Sequence, residues 1–210
     1  MKIRIPSIPA LWASALFTLC LMSLFSPWVA AQAEPYKDAD ESFWQALEHT
    51  HYIAEGERGP VVYLFMDPNC PYCHELFSWL QNPVAARQLR LRVVLVGYLT
   101  ASSAAKAASI LAAKDPLQAL KANEDGFAIR DGKPEGAAPL ANAATLAKMR
   151  PILDRNYNFL QGKESLLPEL ASAGEESATV PFLVYRHKGV VHYVIGLPSH
   201  RQWKALTGSN

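Results

Sequence analysis

Cysteine is scarce in this chain: Cys20, Cys70 and Cys73 are the only three among 210 residues. Cys20 falls in a stretch that also lacks charge, for none appears from Ile5 to Ala33. Basic Lys2 and Arg4, the apolar run Ala10–Phe25 and the Ala31-Gln32-Ala33 site read as a cleaved secretory signal peptide over residues 1–33. Its apolar core is shorter than the about 20 residues a membrane-spanning helix needs. Two cysteines three apart then remain, in an oxidising compartment. So small a set speaks against a disulfide-stapled scaffold, because a loop that short stabilises little. It also speaks against zinc, which would need two further ligands at suitable spacing. Charge of one sign is lacking as well. Without Lys2 and Arg4, 18 of the 20 basic residues stand against 19 acidic ones, which points neither to nucleic acid nor to a polybasic membrane patch. There is no internal repeat and no low-complexity tract beyond Ala-rich patches. About 177 residues remain after cleavage, enough for one domain with a sizeable core.

What is present centres on Val61–His74, VVYLFMDPNCPYCH. Val61–Met66 is apolar throughout and rich in β-branched and aromatic residues, as a strand buried on both faces would be. Asp67, Pro68 and Asn69 supply turn chemistry, and Cys70-Pro71-Tyr72-Cys73 opens a helix expected to run through Leu80. A Cys at a helix N-terminus meets free N–H groups and the positive end of the macrodipole, which stabilise a thiolate. Cys70 is therefore the expected nucleophile, exposed and of low pKa. Cys73, one turn deeper, is the expected resolving thiol. Pro71 costs little in the first turn. Cys70–His74 also spells C-x-x-C-H, the c-type haem attachment motif, so a haem electron carrier stands as an alternative.

Along the rest of the chain, residues 34–59 read as an N-terminal linker segment. Within it Ala39–Ile53 is an amphipathic helix carrying Phe43, Trp44, Leu47 and Tyr52, either packed on the domain or free as a docking face. Leu91–Tyr98 is a second buried strand, giving a right-handed βαβ unit. A helical insertion over about 101–177 follows: Ser102–Lys114, the short Leu117–Ala122, a Gly/Pro-rich surface loop Glu124–Pro139, Asn142–Leu160 with a bend expected at Pro151, and Leu166–Ser172. Val180-Pro181 then leads into a hairpin, Phe182–Tyr185 and Val190–Ile195, with Arg186–Gly189 as the turn. Ser199 caps a last helix through Leu206. The order of elements predicts an α/β domain, a central sheet with helices on both faces.

FMDPNCPYCH (Phe65–His74), SAAKAASILAAKDP (Ser103–Pro116) and GLP (Gly196–Pro198) resemble the periplasmic disulfide isomerase/reductase family of DsbC and DsbG, most closely DsbG, over roughly residues 60–210. The resemblance implies a thioredoxin fold with a helical insertion between the central strands. It implies thiol–disulfide exchange through Cys70 and Cys73, without cofactor or metal, on periplasmic proteins carrying disulfides or sulfenic acids. A cis-proline beside the site maps onto Pro181, and Pro71, Tyr72, Val180 and Pro181 form the substrate-facing loops. The family partner would be a DsbD-type membrane thiol reductase. Two features depart from the family pattern. Only about 25 residues stand where the family has a dimerisation domain, so a monomer is expected, and Val180 replaces the usual Thr before the cis-proline. The same dithiol would also serve a DsbA-like oxidase.

Overall fold

The computed structural model describes residues 37–39, 41–166 and 178–208. The signal-peptide reading of residues 1–33 and the helical reading of 167–172 lie outside them.

Six strands form the central sheet: β1 (Lys37–Ala39), β2 (Ile53–Glu55), β3 (Val61–Met66), β4 (Arg90–Leu95), β7 (Phe182–His187) and β8 (Val190–Ile195), in the order β1-β8-β7-β3-β4-β2. β3 and β4 run parallel, joined by α2 (Pro71–Ala85), while β7 and β8 form an antiparallel hairpin against the other side of β3. The βαβ unit, the ββ hairpin and the closing helix α6 (His200–Thr207) together make a thioredoxin fold. Between β4 and β7 lies the insertion: α3 (Ser103–Leu111), α4 (Pro116–Asp125), the small hairpin β5 (Ala128–Arg130) and β6 (Lys133–Glu135), and α5 (Ala143–Leu166).

The period-two alternation of β3 explains why the sheet is covered on both faces. Val62, Leu64 and Met66 face one core with Leu76, Leu80, Ile110, Leu153, Cys70 and Cys73. Tyr63 and Phe65 face a second core built from Phe43, Leu47, Val94, Phe182 and Leu160. α5 serves both, and its fully buried Asn156 ties it to the sheet. The Asn156 amide donates to the carbonyls of Leu95 and His51 and accepts from the His51 N–H, each at 2.9–3.0 Å.

Several elements differ from the sequence reading. Ala39–Ile53 is not one helix: α1 spans Glu41–Leu47, and β1 and β2 flank it as the edge strands of the sheet. Residues 37–39 and 53–55 are therefore sheet rather than linker. Phe43 and Leu47 are fully buried, so this stripe is core. α2 continues past Leu80 through Pro83, whose ring is buried on the helix's inner face. The expected loop Glu124–Pro139 contains the β5–β6 hairpin, turned by Asp131 (φ 50°) and Gly132 (φ 73°), the positive-φ pair a two-residue turn requires. β4 ends at Leu95, three residues early, because the N–H groups of Tyr98 and Leu99 turn to Asp67 in the loop after β3. Arg186 and His187 belong to β7, and the turn is Lys188-Gly189 alone. α5 runs unbroken through Pro151.

Candidate active site

The site lies where β3 gives way to α2. Cys70 caps the helix in an extended conformation (φ −83°, ψ 115°), and the Cys73 N–H donates to its Sγ at 3.1 Å. Pro71 takes the first helical position, where its missing N–H costs nothing. The two cysteines are joined as a disulfide with their Cα atoms 5.1 Å apart. Burial differs from the expectation of an exposed Cys70. In this oxidised form Cys70 is 3% exposed and Cys73 fully buried, whereas Tyr72 between them is 62% exposed. The chain segment before β7 covers Cys70: the Val180 carbonyl oxygen is 4.0 Å from Cys70 Sγ, and the Val180–Pro181 peptide is cis. Val180 packs partly buried against both cores.

The loop leading into Cys70 is held by residues that sequence reasoning passed over. Asp67 is fully buried. Its Oδ1 accepts from the Asn69 N–H (3.0 Å) and the Ser103 hydroxyl (2.7 Å), and its Oδ2 from the N–H groups of Tyr98 (2.8 Å) and Leu99 (3.1 Å). A buried carboxylate is tolerated when its lone pairs are met in this way. Asn69 extends the hold. Its amide donates to the hydroxyls of Thr100 (2.7 Å), Ser102 (2.9 Å) and Ser103 (3.2 Å), and its oxygen accepts from the Gly136 N–H at 3.1 Å. Asn123 of α4 donates to the Pro68 carbonyl at 3.1 Å and accepts from the Ala138 N–H at 2.9 Å.

Gly136 is required by close approach. A Cβ there would sit 2.3 Å from both Asn123 Oδ1 and the Pro68 carbonyl oxygen. The buried Lys106 ammonium holds this corner from α3, donating to the Gly136 carbonyl (2.6 Å) and to Glu135 Oε1 (2.7 Å). That bond and the lysine's charge draw the Glu135 carboxyl below its ordinary pKa.

His74, first residue after the motif, packs its ring flat on Phe127 with centroids 4.5 Å apart, and its Nδ1 lies 3.0 Å from Glu124 Oε2. Glu124 is 5% exposed, and its Oε1 accepts from the Asn123 amide at 2.9 Å. Burial pushes the Glu124 carboxyl above its ordinary pKa, against the pull of its bonds to Asn123 and His74. Among the described residues no group of three or more His, Cys, Asp or Glu converges as a metal site.

A βαβ–ββα sheet carrying a C-x-x-C disulfide at a helix N-terminus, faced by a cis-proline loop, defines a thioredoxin-fold protein with a dithiol–disulfide centre. Its sequence is DsbG-like. Over 121 residues it is 38% identical to the thiol:disulfide interchange protein DsbG of Pseudomonas aeruginosa, covering 57% of this chain and 47% of that protein. Over 181 residues it is 28% identical to DsbG of Escherichia coli, covering 85% of this chain and 65% of that one. The chain thus spans 47% of the length of the first of these relatives and 65% of the second. No protein-family model matches it. Among solved structures, the catalytic domain of Proteus mirabilis ScsC superposes with a TM-score of 0.48 at 19% identity, over 80% of this chain and 93% of that one. Pseudomonas aeruginosa DsbA2 superposes with a TM-score of 0.46 at 17% identity, over 73% and 90%.

Proposed function

We propose that this protein is a periplasmic thiol–disulfide oxidoreductase that acts as a reductase or isomerase of the DsbG kind. The observation that carries the reading is the Cys70–Cys73 disulfide at the N-terminus of α2, with the Cys73 N–H aimed at Cys70 Sγ. In the reduced protein that N–H and the helix dipole stabilise a Cys70 thiolate. The thiolate attacks one sulfur of a substrate disulfide, the substrate's second sulfur leaves as a thiolate, and a mixed disulfide forms. On a sulfenic acid the same attack expels water once the oxygen has been protonated. Cys73 then attacks Cys70 Sγ, releasing the reduced substrate and restoring the Cys70–Cys73 disulfide. In this scheme exposed Tyr72 and the Val180-Pro181 segment receive the substrate, whose extended backbone pairs beside Cys70, and Pro71 fixes the entry to the helix. A membrane dithiol reductase of the DsbD type returns the pair to the reduced state. The protein works as a monomer, a reading supported by the burial of Phe43 and Leu47 within its own domain.

Trapping tests the assignment. Cys73→Ser is expected to accumulate mixed disulfides with periplasmic proteins, and Cys70→Ser to accumulate none. Alkylation of the reduced protein at mildly acidic pH should label Cys70 first. Labelling of Cys73 first, or trapping by Cys70→Ser, would overturn the roles. Sedimentation at micromolar concentration checks the monomer.

A further inference from the structure

Two stretches of chain meet at Cys70. Residues 67–69 lead into it, and residues 178–181 lead into β7 and lay the Val180 carbonyl oxygen 4.0 Å from Cys70 Sγ. One residue touches both. Tyr98, three residues past the end of β4, donates its backbone N–H to Asp67 Oδ2 at 2.8 Å and its phenol hydroxyl to the Ala178 carbonyl. We propose that Tyr98 is a positioning residue for thiol–disulfide exchange: its hydroxyl ties down the segment 178–181, so that the Val180-Pro181 edge stays over Cys70 and ready for substrate. This deepens the oxidoreductase reading and rests on it.

The downstream end of that segment is fixed by the sheet. The Pro181 carbonyl accepts from the Gly196 N–H at 2.9 Å, and Phe182 pairs with Phe65 of β3 and Ile195 of β8. The upstream end, Ala178, lies outside any strand, and there the Tyr98 hydroxyl supplies a hold. Tyr98 is itself well anchored. Its N–H bond to Asp67 fixes its backbone to the loop before Cys70, and its ring lies tilted against Tyr157 of α5 with centroids 5.2 Å apart. Tyr98, Tyr157, Ala178 and Val180 all pack partly buried on the core that contains Phe65 and Phe182. A tyrosine suits the position because it joins an apolar body to a polar tip. A Phe would pack in the same way but would bring the Ala178 carbonyl no donor.

The tie bears on two observable quantities. An extended substrate gains affinity by pairing its backbone with an edge that is already in place. An edge that wandered would add its own ordering entropy to every binding event. The same segment also screens the sulfur, for Cys70 is 3% exposed. Releasing Ala178 should therefore weaken substrate capture and open Cys70 to small reagents. The tie joins a hydroxyl to a carbonyl two residues ahead of Val180, so its loss changes access to Cys70 rather than the acidity of the thiol.

Tyr98→Phe removes the hydroxyl and keeps both the ring and the N–H bond to Asp67. Alkylation of Cys70 by iodoacetamide in the reduced mature protein, sited by peptide mass spectrometry, gives a limiting thiolate rate and a pH midpoint. The limiting rate should rise about threefold to tenfold, the shift that loss of one neutral hydrogen bond allows, and the midpoint should stay in place. KM for a disulfide-linked peptide should rise by a similar factor with kcat near the wild-type value. Tyr157→Phe, which strips the hydroxyl from the neighbouring ring, should match wild type in all of these. An unchanged limiting rate or an unchanged KM in Tyr98→Phe would overturn the proposal. So would an equal rise in Tyr157→Phe, or a rise in Tyr98→Phe with a shifted midpoint or lost far-UV ellipticity, because each would trace the effect to general loosening. A wild type that alkylates at Cys70 but reduces no peptide disulfide would instead sink the oxidoreductase reading, and the alkylation rates would still decide the tie.

Discussion

Asp67→Asn changes one atom's chemistry and almost no volume, which makes its expected cost open to calculation. The carboxylate accepts four hydrogen bonds, two at each oxygen. An amide keeps one oxygen and replaces the other with an NH2 group. Turned one way, that NH2 meets the N–H groups of both Tyr98 and Leu99, leaving two buried donors unmet. Turned the other way, it meets the Asn69 N–H and the Ser103 hydroxyl, and the hydroxyl can rotate to accept. The second orientation is cheaper and should be adopted. One buried N–H then loses its acceptor, at about 1–3 kcal/mol. The two bonds kept by the remaining oxygen fall from charge-assisted to neutral, roughly 1 kcal/mol each. The total, about 3–5 kcal/mol, is a large share of the roughly 5–15 kcal/mol that holds a typical domain folded. With a urea slope of about 2 kcal/mol per molar, the unfolding midpoint of the oxidised protein should fall by about 1.5–2.5 M. Tryptophan fluorescence and far-UV circular dichroism should report it together. A midpoint within about 0.3 M of wild type at unchanged slope would refute the reasoning, because the four donors would then have found other partners at no cost.

Gly136→Ala should destabilise by a few kcal/mol, about 2–4, because its Cβ meets backbone and an anchored amide at 2.3 Å rather than a flexible side-chain end. Gly162→Ala in α5, with open space around it, should instead stabilise by about 0.5–1 kcal/mol, and thermal melts of the two variants check the contrast. Val180→Thr places a hydroxyl next to the carbonyl that lies 4.0 Å from Cys70 Sγ. If it donates to the thiolate, it should lower the Cys70 pKa, read by thiolate absorbance. The potential should then rise by at most about 30–60 mV, since about 30 mV corresponds to 1.4 kcal/mol for a two-electron couple. A Cys70 pKa that stays or rises would remove Val180 from the thiolate's surroundings. Glu135 has its folded-state pKa lowered by Lys106, so its contribution to stability is full above the ordinary Glu value and is lost as pH falls through the folded value. Glu135→Gln should therefore lower stability near neutral pH and flatten the acid limb of the stability profile.

The strands that carry the site were legible because burial on both faces leaves a continuous apolar run. Val61–Met66 and Val190–Ile195 have the same ends in sequence and structure. The three-residue strands β1, β2, β5 and β6 were not, since so short an element cannot display a period and owes its state to a neighbour. Asp131-Gly132 did carry a hairpin signal, but without alternating apolar flanks it read as loop. At the site, the C-x-x-C motif stood out by local chemistry, whereas Val180-Pro181 was placed beside it only through the family resemblance. Asp67 and Asn69 read only as turn residues. Nothing local to them announces hydrogen-bond partners 31 to 67 residues further along the chain. Asn123, Gly136 and Lys106 were hidden for the same reason, lying in a segment without obvious catalytic chemistry of its own. The apolar stripe Phe43–Leu47 was visible, but which surface it covers was decided by tertiary pairing.

Those distant anchors have a consequence for the order in which the protein becomes competent. The chain leaves the ribosome from its N-terminus, so Cys70 and Cys73 emerge well before Ser103, Asn123 and Gly136. Until those residues arrive, the loop before Cys70 lacks the hydrogen-bond partners that brace it in the folded chain. Closing such loops carries an entropy cost that local contacts cannot offset. A chain cut short before Gly136 would therefore display the full CPYC motif and still lack part of the network that holds the loop before Cys70. The bracing of the CPYC segment arrives late in the chain's own synthesis, with a stretch that holds no cysteine at all.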